Sequence, residues 1–459
     1  MAEKMNNNSE IKGIRLSGKR EIKSVNYADD VTLTLRDAHS VNLAIDTVDR
    51  FQMASGLKLN KQKTQGLRTK NSFPEILLPD IKWHHENFNL LGTKIGKINL
   101  NQIWQEIDGK IKSVINEIDS TYATLDAKEV LIKARLLPVS NYAAQTYPAP
   151  TEKIKKINER IVRYAVGKYE HADINTLQLP KLDGGLNFPN FEIYADIIYI
   201  RSILKYCQAR VQNEPLNVHT TYIEYQIGHA IADVLEVVRL NNIPHTETRS
   251  PYYETIMQII NKYNLKRNDL IERKIKKTYE RIIQTKKLKA ISDLGKIWER
   301  THLKILPSYL RTFNYKCAWN LLPFCNETGN YTPASKNSCP FCKVGPDAAY
   351  HVFFKCPQTN KQWKQTIKDA EELLQINLQN ENVESLCQLM YNNDRHPNKD
   401  QLLTTLITAT KHQIWKTRLK CVIDNQAFSL NKLRKDVNKA CNSRITTIRR
   451  DHPNIMTNE

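Results

Sequence analysis

Ile22-Lys23-Ser24-Val25-Asn26-Tyr27-Ala28-Asp29-Asp30-Val31-Thr32-Leu33-Thr34-Leu35 decides how the N-terminal part of this chain is read. Two adjacent carboxylates, Asp29 and Asp30, stand between two apolar runs. Val31, Leu33 and Leu35 alternate with Thr32 and Thr34, the period of a strand with one buried face. The pattern predicts a strand, an acidic tip and a second strand. Carboxylate oxygens suit a hard cation such as Mg²⁺, and rigid strands hold them in place. Two such ions can clamp the attacking and leaving oxygens of a nucleotidyl transfer, which calls for a further carboxylate from another strand. The acidic residues before Asp29 are Glu3, Glu10 and Glu21, and none sits in an apolar strand. The sequence therefore predicts half of a two-metal site. A plain Asp-Asp turn is the alternative, because Asp accepts hydrogen bonds from nearby backbone amides. Local sequence leaves both open.

The rest of the chain predicts helices. Val41, Ala44, Ile45, Val48 and Phe51 recur at helical spacing, with Ser40 placed to cap the start and Gly56 to end it. This helix would cover the hairpin's sheet in an α+β layer. Ile103, Ile107, Ile111, Val114 and Ile118 form one apolar stripe. Val130, Leu131, Ala134 and Leu137 form a second, which Pro138 should stop. Thr151 can cap a third helix with Ile154, Ile157, Ile161 and Ala165 facing inward. Pro180, Gly184, Gly185 and Pro189 break the helices, as do the segments 213–221 and 241–251.

The net charge of +20 makes nucleic acid the first candidate partner, with affinity that falls steeply with salt. The run 262–289 is rich in Lys and Arg, and Lys274, Lys277 and Arg281 are its candidate phosphate contacts. A solvated helix face explains such a run equally well. The same two readings apply to Arg434, Lys435, Lys439, Arg444, Arg449 and Arg450. No apolar run approaches the roughly 18 residues of a membrane span, and Met1-Ala2-Glu3-Lys4 opens no signal peptide. Nucleus or cytoplasm is the expectation, with the nine cysteines reduced rather than paired.

Cys339-Pro340-Phe341-Cys342, His351 and Cys356 have the spacing C-x2-C-x8-H-x4-C. Three thiolates and an imidazole complete a closed tetrahedral shell for Zn²⁺. A closed shell leaves no place for water, so the predicted role is structural. Unconnected cysteines behaving as small core hydrophobes are the alternative. Lys343, Lys355, Lys361 and Lys364 flank the motif, and Phe341, Tyr350 and Trp363 either stack on unpaired bases or pack in a core.

Tyr27 to Leu35 resembles the palm hairpin of reverse transcriptases from non-LTR (LINE-like) retrotransposons. Downstream segments resemble that family in the same order. They are Ala54 to Asn60 with Lys63-Thr64, then Leu90 to Gly96 as the primer-grip hairpin. Leu131-Ile132-Lys133 with Leu136-Leu137-Pro138 is similar to the thumb, and Leu179-Pro180-Lys181 with Gly184-Gly185-Leu186 and Pro189 to the segment after it. The cysteine-histidine motif, followed by Pro357, matches the one near the family's C-terminus.

The resemblance implies an N-terminal partial palm over residues 1–99, a short antiparallel sheet with its helix. A helical thumb (100–170), a helical connector with the basic stretch (171–315) and a small zinc-stabilised helical domain (316–459) follow. It implies that Asp29 binds Mg²⁺, that Asp30 supports it, and that Lys63 protonates the leaving pyrophosphate. Tyr27 would lie beside the growing end, Leu91 and Gly92 would form the primer grip, and Lys133 would contact nucleic acid. The partner would be a template–primer duplex of RNA and DNA, with no membrane. The family's fingers and first catalytic Asp precede this hairpin. The expectation is thus a truncated RNA-directed DNA polymerase, inactive alone but nucleic-acid-binding, or a chain completed by another that carries the missing half. A retained RNA- or DNA-binding module, or a relic without enzymatic role, is the alternative.

Overall fold

The computed structural model describes residues 2–15, 21–27, 30–69, 80–119, 123–166, 174–238, 246, 248–271, 275–285, 295–324, 338–391 and 396–456. These residues are mainly helical with short β-ribbons, so the mixed α and β layout holds at that coarse level. The chain divides into two compact units. One comprises Met1–Lys112, Leu137–Asn158 and Phe191–Ile282. The other comprises Ser113–Leu136, Glu159–Asn190 and Ile283–Glu459.

The first unit opens with helix α1 (Ala2–Asn7). Strand β1 (Ile14–Arg15) pairs antiparallel with β2 (Glu21–Ile22), and β3 (Ser24–Tyr27) with β4 (Asp30–Leu33). Gly13, ahead of β1, passes so close to Ile22 that a Cβ would lie 2.2 Å from its carbonyl oxygen, so glycine is needed there. Further on, β5 (Gln65–Leu67) runs parallel to β6 (Lys82–His84), and β7 (Asn87–Leu90) antiparallel to β8 (Thr93–Gly96). The one short antiparallel sheet expected from the sequence is corrected to four two-stranded ribbons among the described residues. Strands of two to four residues pair with one neighbour and then give way to turns, and helices complete their burial. Leu33, Leu35 and Leu59 pack on a small core of Met5, Ile11, Ala44 and Val48.

Ala44 and Val48 belong to α2 (Ala38–Ser55). Its cap is Asp37 rather than Ser40: the Asp37 carboxylate accepts from the Ser40 N–H at 2.8 Å. Ser40 lies inside the first turn, fully buried, and its hydroxyl accepts from the Lys12 N–H at 2.8 Å. Gly56 ends the helix as expected, at φ 72.

Helix α3 (Leu100–Asp119) buries Ile103, Ile107, Ile111 and Ile118. Helix α4 (Leu125–Leu131) runs through a π-helical turn (Ile132–Leu136) into α5 (Leu137–Thr146). Pro138 therefore does not stop the helix. It falls in the first turn after the wider π turn, where its ring and missing N–H are tolerated. The extra residue also shifts the apolar phase. Leu125, Ile132, Leu136 and Leu137 are buried, whereas Val130 is 59% exposed and Ala134 is exposed. Helix α6 (Thr151–Val166) buries Ile154, Ile157, Ile161 and Ala165 as its spacing predicts.

After the short α7 (Ile174–Gln178) come α8 (Phe191–Ile200), α9 (Leu204–Val211), α10 (Val218–Leu235) and α11 (Pro251–Lys262). Helices α12 (Arg267–Ile271) and α13 (Ile275–Thr285) carry the basic run. Much of that run is paired. Lys262 meets Glu192 at 2.6 Å and Asp196 at 2.7 Å, and Arg281 meets Asp269 at 2.6 Å.

In the second unit, Lys181 of the 179–190 loop lies 2.9 Å from Asp126 and 3.2 Å from Glu129. Arg311 also donates to Asp126, at 2.5 Å. Burial works against the Asp126 charge, but the two cations outweigh it and hold the carboxyl below its usual range. Helices α14 (Gly295–Thr301), α15 (Ser308–Ala318), α16 (Pro357–Leu374) and α17 (Val383–Cys387) lead to α18 (Pro397–Val422). Helices α19 (Leu430–Asp451) and α20 (Pro453–Met456) follow. Over residues 402–411 α18 is buried on every side. Its interior threonines are satisfied locally: Thr404 donates to Asp400 O at 2.8 Å, and Thr408 accepts from Asn314 at 2.9 Å. No described helix is long and apolar enough to cross a membrane.

Candidate metal centre

Cys339, Cys342, His351 and Cys356 present their ligand atoms within 4.8 Å of one another. Each residue is brought there by a local device. Cys339 and Cys342 flank a tight loop in which the Lys343 N–H donates to Cys339 O at 2.9 Å and the Cys339 N–H to Gly345 O at 2.6 Å. Lys343 takes the left-handed conformation, φ 63, that closes the loop. The loop turns backbone donors onto sulfur: the Gly345 N–H lies 3.5 Å from Cys342 Sγ, and the Phe341 and Cys342 N–H groups face Cys339 Sγ.

His351 and Cys356 come from the other side. They are five residues apart, and on an α-helix such residues point about 140° away from each other. The turn His351–Lys355 is π-helical instead, closed by the Cys356 N–H donating to His351 O at 2.7 Å. The wider turn brings positions i and i+5 to the same side. Cys356 then caps the N-terminus of α16, with Pro357 in the first turn.

The spacing of the donors fits zinc. Tetrahedral bonds of about 2.3 Å to sulfur and about 2.0 Å to nitrogen require S···S near 3.8 Å and S···N near 3.5 Å. Cys339 Sγ and Cys356 Sγ are 3.8 Å apart, and Cys342 Sγ and His351 Nε2 are 3.2 Å apart. Accepting from the Cys339 thiol, and from the Gln358 and Thr359 N–H groups, holds the Cys356 thiol well below its usual range. Donating that bond, together with burial, pushes the Cys339 thiol up. Two buried sulfurs this close share one proton unless a dication takes its place. The donor set, its closure and its burial fit a structural Zn²⁺ rather than a catalytic one.

Gly345 is part of the same device. A Cβ there would lie 2.1 Å from His351 Cε1, so the imidazole packs on bare backbone. Gly345→Ala is expected to push the ring off the ligand position and weaken zinc retention about 10- to 100-fold in competition with a chelator. Gly109→Ala, whose methyl would meet nothing within 4 Å, is the control. Equal zinc retention in the two variants would disprove the role of Gly345.

The surroundings settle which aromatics are available. Phe341 and Trp363 are buried, and the Trp363 Nε1–H donates to Phe353 O at 2.9 Å. Tyr350 is 49% exposed, with Lys355 Nζ 5.5 Å above its ring. An ion pair that sequence reading missed anchors the loop. Arg418 of α18 reaches both carboxylate oxygens of Asp347, Nε at 2.7 Å, and both residues are almost fully buried. The two are 71 positions apart, and no spacing rule joins them.

The hairpin residues are placed as follows. Tyr27 ends β3 opposite Asp30, which begins β4 and is exposed. Asp29 and Lys274 lie outside the described residues. Lys63 is exposed in the turn after Asn60, and no hydrogen bond or ion pair joins it to Asp30. Leu91, φ 48, and Gly92, φ 77, form the tip of the β7–β8 hairpin, where Leu91 O accepts from the Tyr142 hydroxyl. Lys133 pairs with Glu129 at 2.6 Å, Arg281 with Asp269, and Lys277 is exposed on α13. Among the described residues of this set, Cys339, Cys342, His351 and Cys356 are gathered into one cluster. Compared with known proteins, the chain matches no family model and no curated sequence.

Proposed function

We propose that this chain is part of a non-LTR retrotransposon reverse transcriptase that binds nucleic acid but does not extend a primer by itself. The observation that carries this reading is the C-x2-C-x8-H-x4-C ligand set, drawn within 4.8 Å in a chain of net charge +20. The antiparallel pairing of β3 with β4, Tyr27 opposite Asp30, supports it, because it is the strand pairing that the resemblance implies. Asp29 and Asp30 contribute carboxylates for Mg²⁺, and Lys63 serves as proton donor, only when a further carboxylate is supplied by another chain or segment. The zinc centre holds the fold of the region that grips nucleic acid and takes no part in chemistry.

The test uses the full chain. Primer extension on an RNA template with Mg²⁺ is expected to give no product. Binding to a labelled polynucleotide is expected to weaken about 10³-fold between 50 and 200 mM salt, as about six phosphate contacts require. Extension that disappears in Asp29→Ala would make the chain a working polymerase and overturn its inactivity. No binding at 50 mM salt would end the nucleic-acid reading altogether.

A further inference from the structure

Helix α19 has two opposite faces. Leu433, Val437, Ile445 and Ile448 are buried on one, within the core that also contains Cys339, Phe341 and Cys356. The other face carries Lys432, Lys435, Lys439, Asn442, Ser443, Thr446, Arg449 and Arg450, all exposed. At about 100° per residue, Lys432, Lys439, Ser443, Thr446 and Arg450 fall within about 60° of one another. The stripe is polar and basic from end to end, with no apolar side chain on it.

Its charges are not spent inside the protein. Among the described residues Lys432, Lys435, Lys439 and Arg449 have no carboxylate partner. Asp436, on the flank, is shared with Lys420 at 4.0 Å, and only Arg450 is paired, with its neighbour Asp451 at 2.7 Å. The cations fall in two groups. Three lysines occupy the first half of the helix and two arginines its last turn. About 15 Å of axis separates Lys439 from Arg449, at 1.5 Å per residue. Between the groups stand only Asn442, Ser443 and Thr446, short side chains that both donate and accept.

We propose that this face of α19 binds duplex DNA, lying in the major groove with its two cationic ends on the opposing phosphate backbones. A B-form major groove is about 12 Å wide and admits an α-helix. An A-form RNA duplex closes that groove to side chains. The separation of the two cationic groups spans such a groove, and the neutral amide and hydroxyls between them face the base edges, where amides pair with adenine. An anionic bilayer would also attract the lysines, but the stripe has no apolar residues to insert. The metal loop supports the basic end. Phe341 packs on Phe428, two residues before α19, at 4.7 Å between ring centroids. This inference rests on the nucleic-acid reading above and adds the site and the form of the ligand.

The experiment measures binding of the full chain to a 20-base-pair DNA duplex, the matching RNA duplex and anionic phosphatidylserine vesicles, at several salt concentrations. DNA is expected to bind tightest. The variant K435Q/K439Q should bind DNA about 60-fold more weakly at 0.1 M salt, about eightfold per phosphate contact, with the salt slope reduced by about two. The variant N442A/T446A should keep the slope and lose preference among DNA sequences. Both variants change exposed residues only, and zinc content and melting temperature confirm folding. Tight DNA binding that K435Q/K439Q leaves unchanged would overturn the site while leaving the general reading intact. Tighter binding to the RNA duplex or to vesicles would overturn the ligand. Failure of the unaltered chain to bind any polynucleotide would sink both.

Discussion

Removing the metal is expected to lower the melting temperature of this chain by about 10 °C and to open the segment 338–360 to hydrogen exchange. The size follows from the site's position. Cys339 and Cys356 are fully buried, and Phe341, Val352 and Phe353 belong to the same core. Without a dication, four donor atoms crowd within 4.8 Å, and the two sulfurs 3.8 Å apart cannot both be charged. Structural zinc supplies about 10–16 kcal/mol to isolated zinc-finger peptides. Here the surrounding helices bear part of that load, so a loss of about 3–5 kcal/mol is expected, or roughly 2–4 °C for each kcal/mol in a unit of this size. Acid should act like a chelator, because protons compete for the thiolates. Without metal, the Cys339 thiol and then the N–H groups at the start of α16 favour the Cys356 thiolate. Elemental analysis should find one zinc per chain. Cys356→Ser should reproduce the chelated melt, whereas Cys421→Ser, which removes none of the four donors, should not. A melt that is identical with and without chelator would remove the structural role.

What the sequence displays and what it hides differ for physical reasons. The strand pair was legible because strand alternation is a local signal, and β3 and β4 pair antiparallel with Tyr27 opposite Asp30. The cysteine-histidine cluster was legible because metal coordination imposes short spacings. By contrast, the phase of the helix after Leu125 was not, since a π turn inserts one residue that no periodic template anticipates. Ser40 and Asp37 are both good caps by type, and only the contact between Ser40 and Lys12 decides which one lies inside the helix. Burial of α18 on all sides was hidden behind its threonines, which look polar in sequence and are satisfied in place by carbonyls one turn back. The basic residues could be sorted by sequence only in part. Lys133 pairs with Glu129 one helical turn back, a local spacing, whereas Arg281 meets Asp269, twelve positions away and on another helix, and among the described residues Lys435 and Lys439 meet no carboxylate.

Arg418→Met is expected to destabilise the C-terminal region by about 3–5 kcal/mol, the largest effect of any single substitution outside the metal ligands. Arg418 is 1% exposed, and its guanidinium meets Asp347 through two nitrogens while stacking 4.4 Å above Phe324 and 4.9 Å from Trp415. Removing it takes the ion-pair partner from a carboxylate that is 0% exposed. Asp347→Leu alone leaves the guanidinium buried without its partner, although the two rings still face it. The double variant Asp347→Leu/Arg418→Met leaves no stranded charge and should recover most of the loss, because a buried ion pair often stabilises no more than apolar residues of similar volume. Denaturant melts of the four proteins, followed by exchange protection in α18 and α19, give the coupling as a double-mutant cycle. Additive losses, or an Arg418→Met variant as stable as the parent, would show that the pair is incidental. Strong coupling carries a consequence for binding. Asp347 ties the metal loop to α18, and α18 packs against α19. If the basic face of α19 binds DNA as proposed, Arg418→Met should reduce that affinity by loosening the helix, with the salt slope unchanged because every cation of the face is still present.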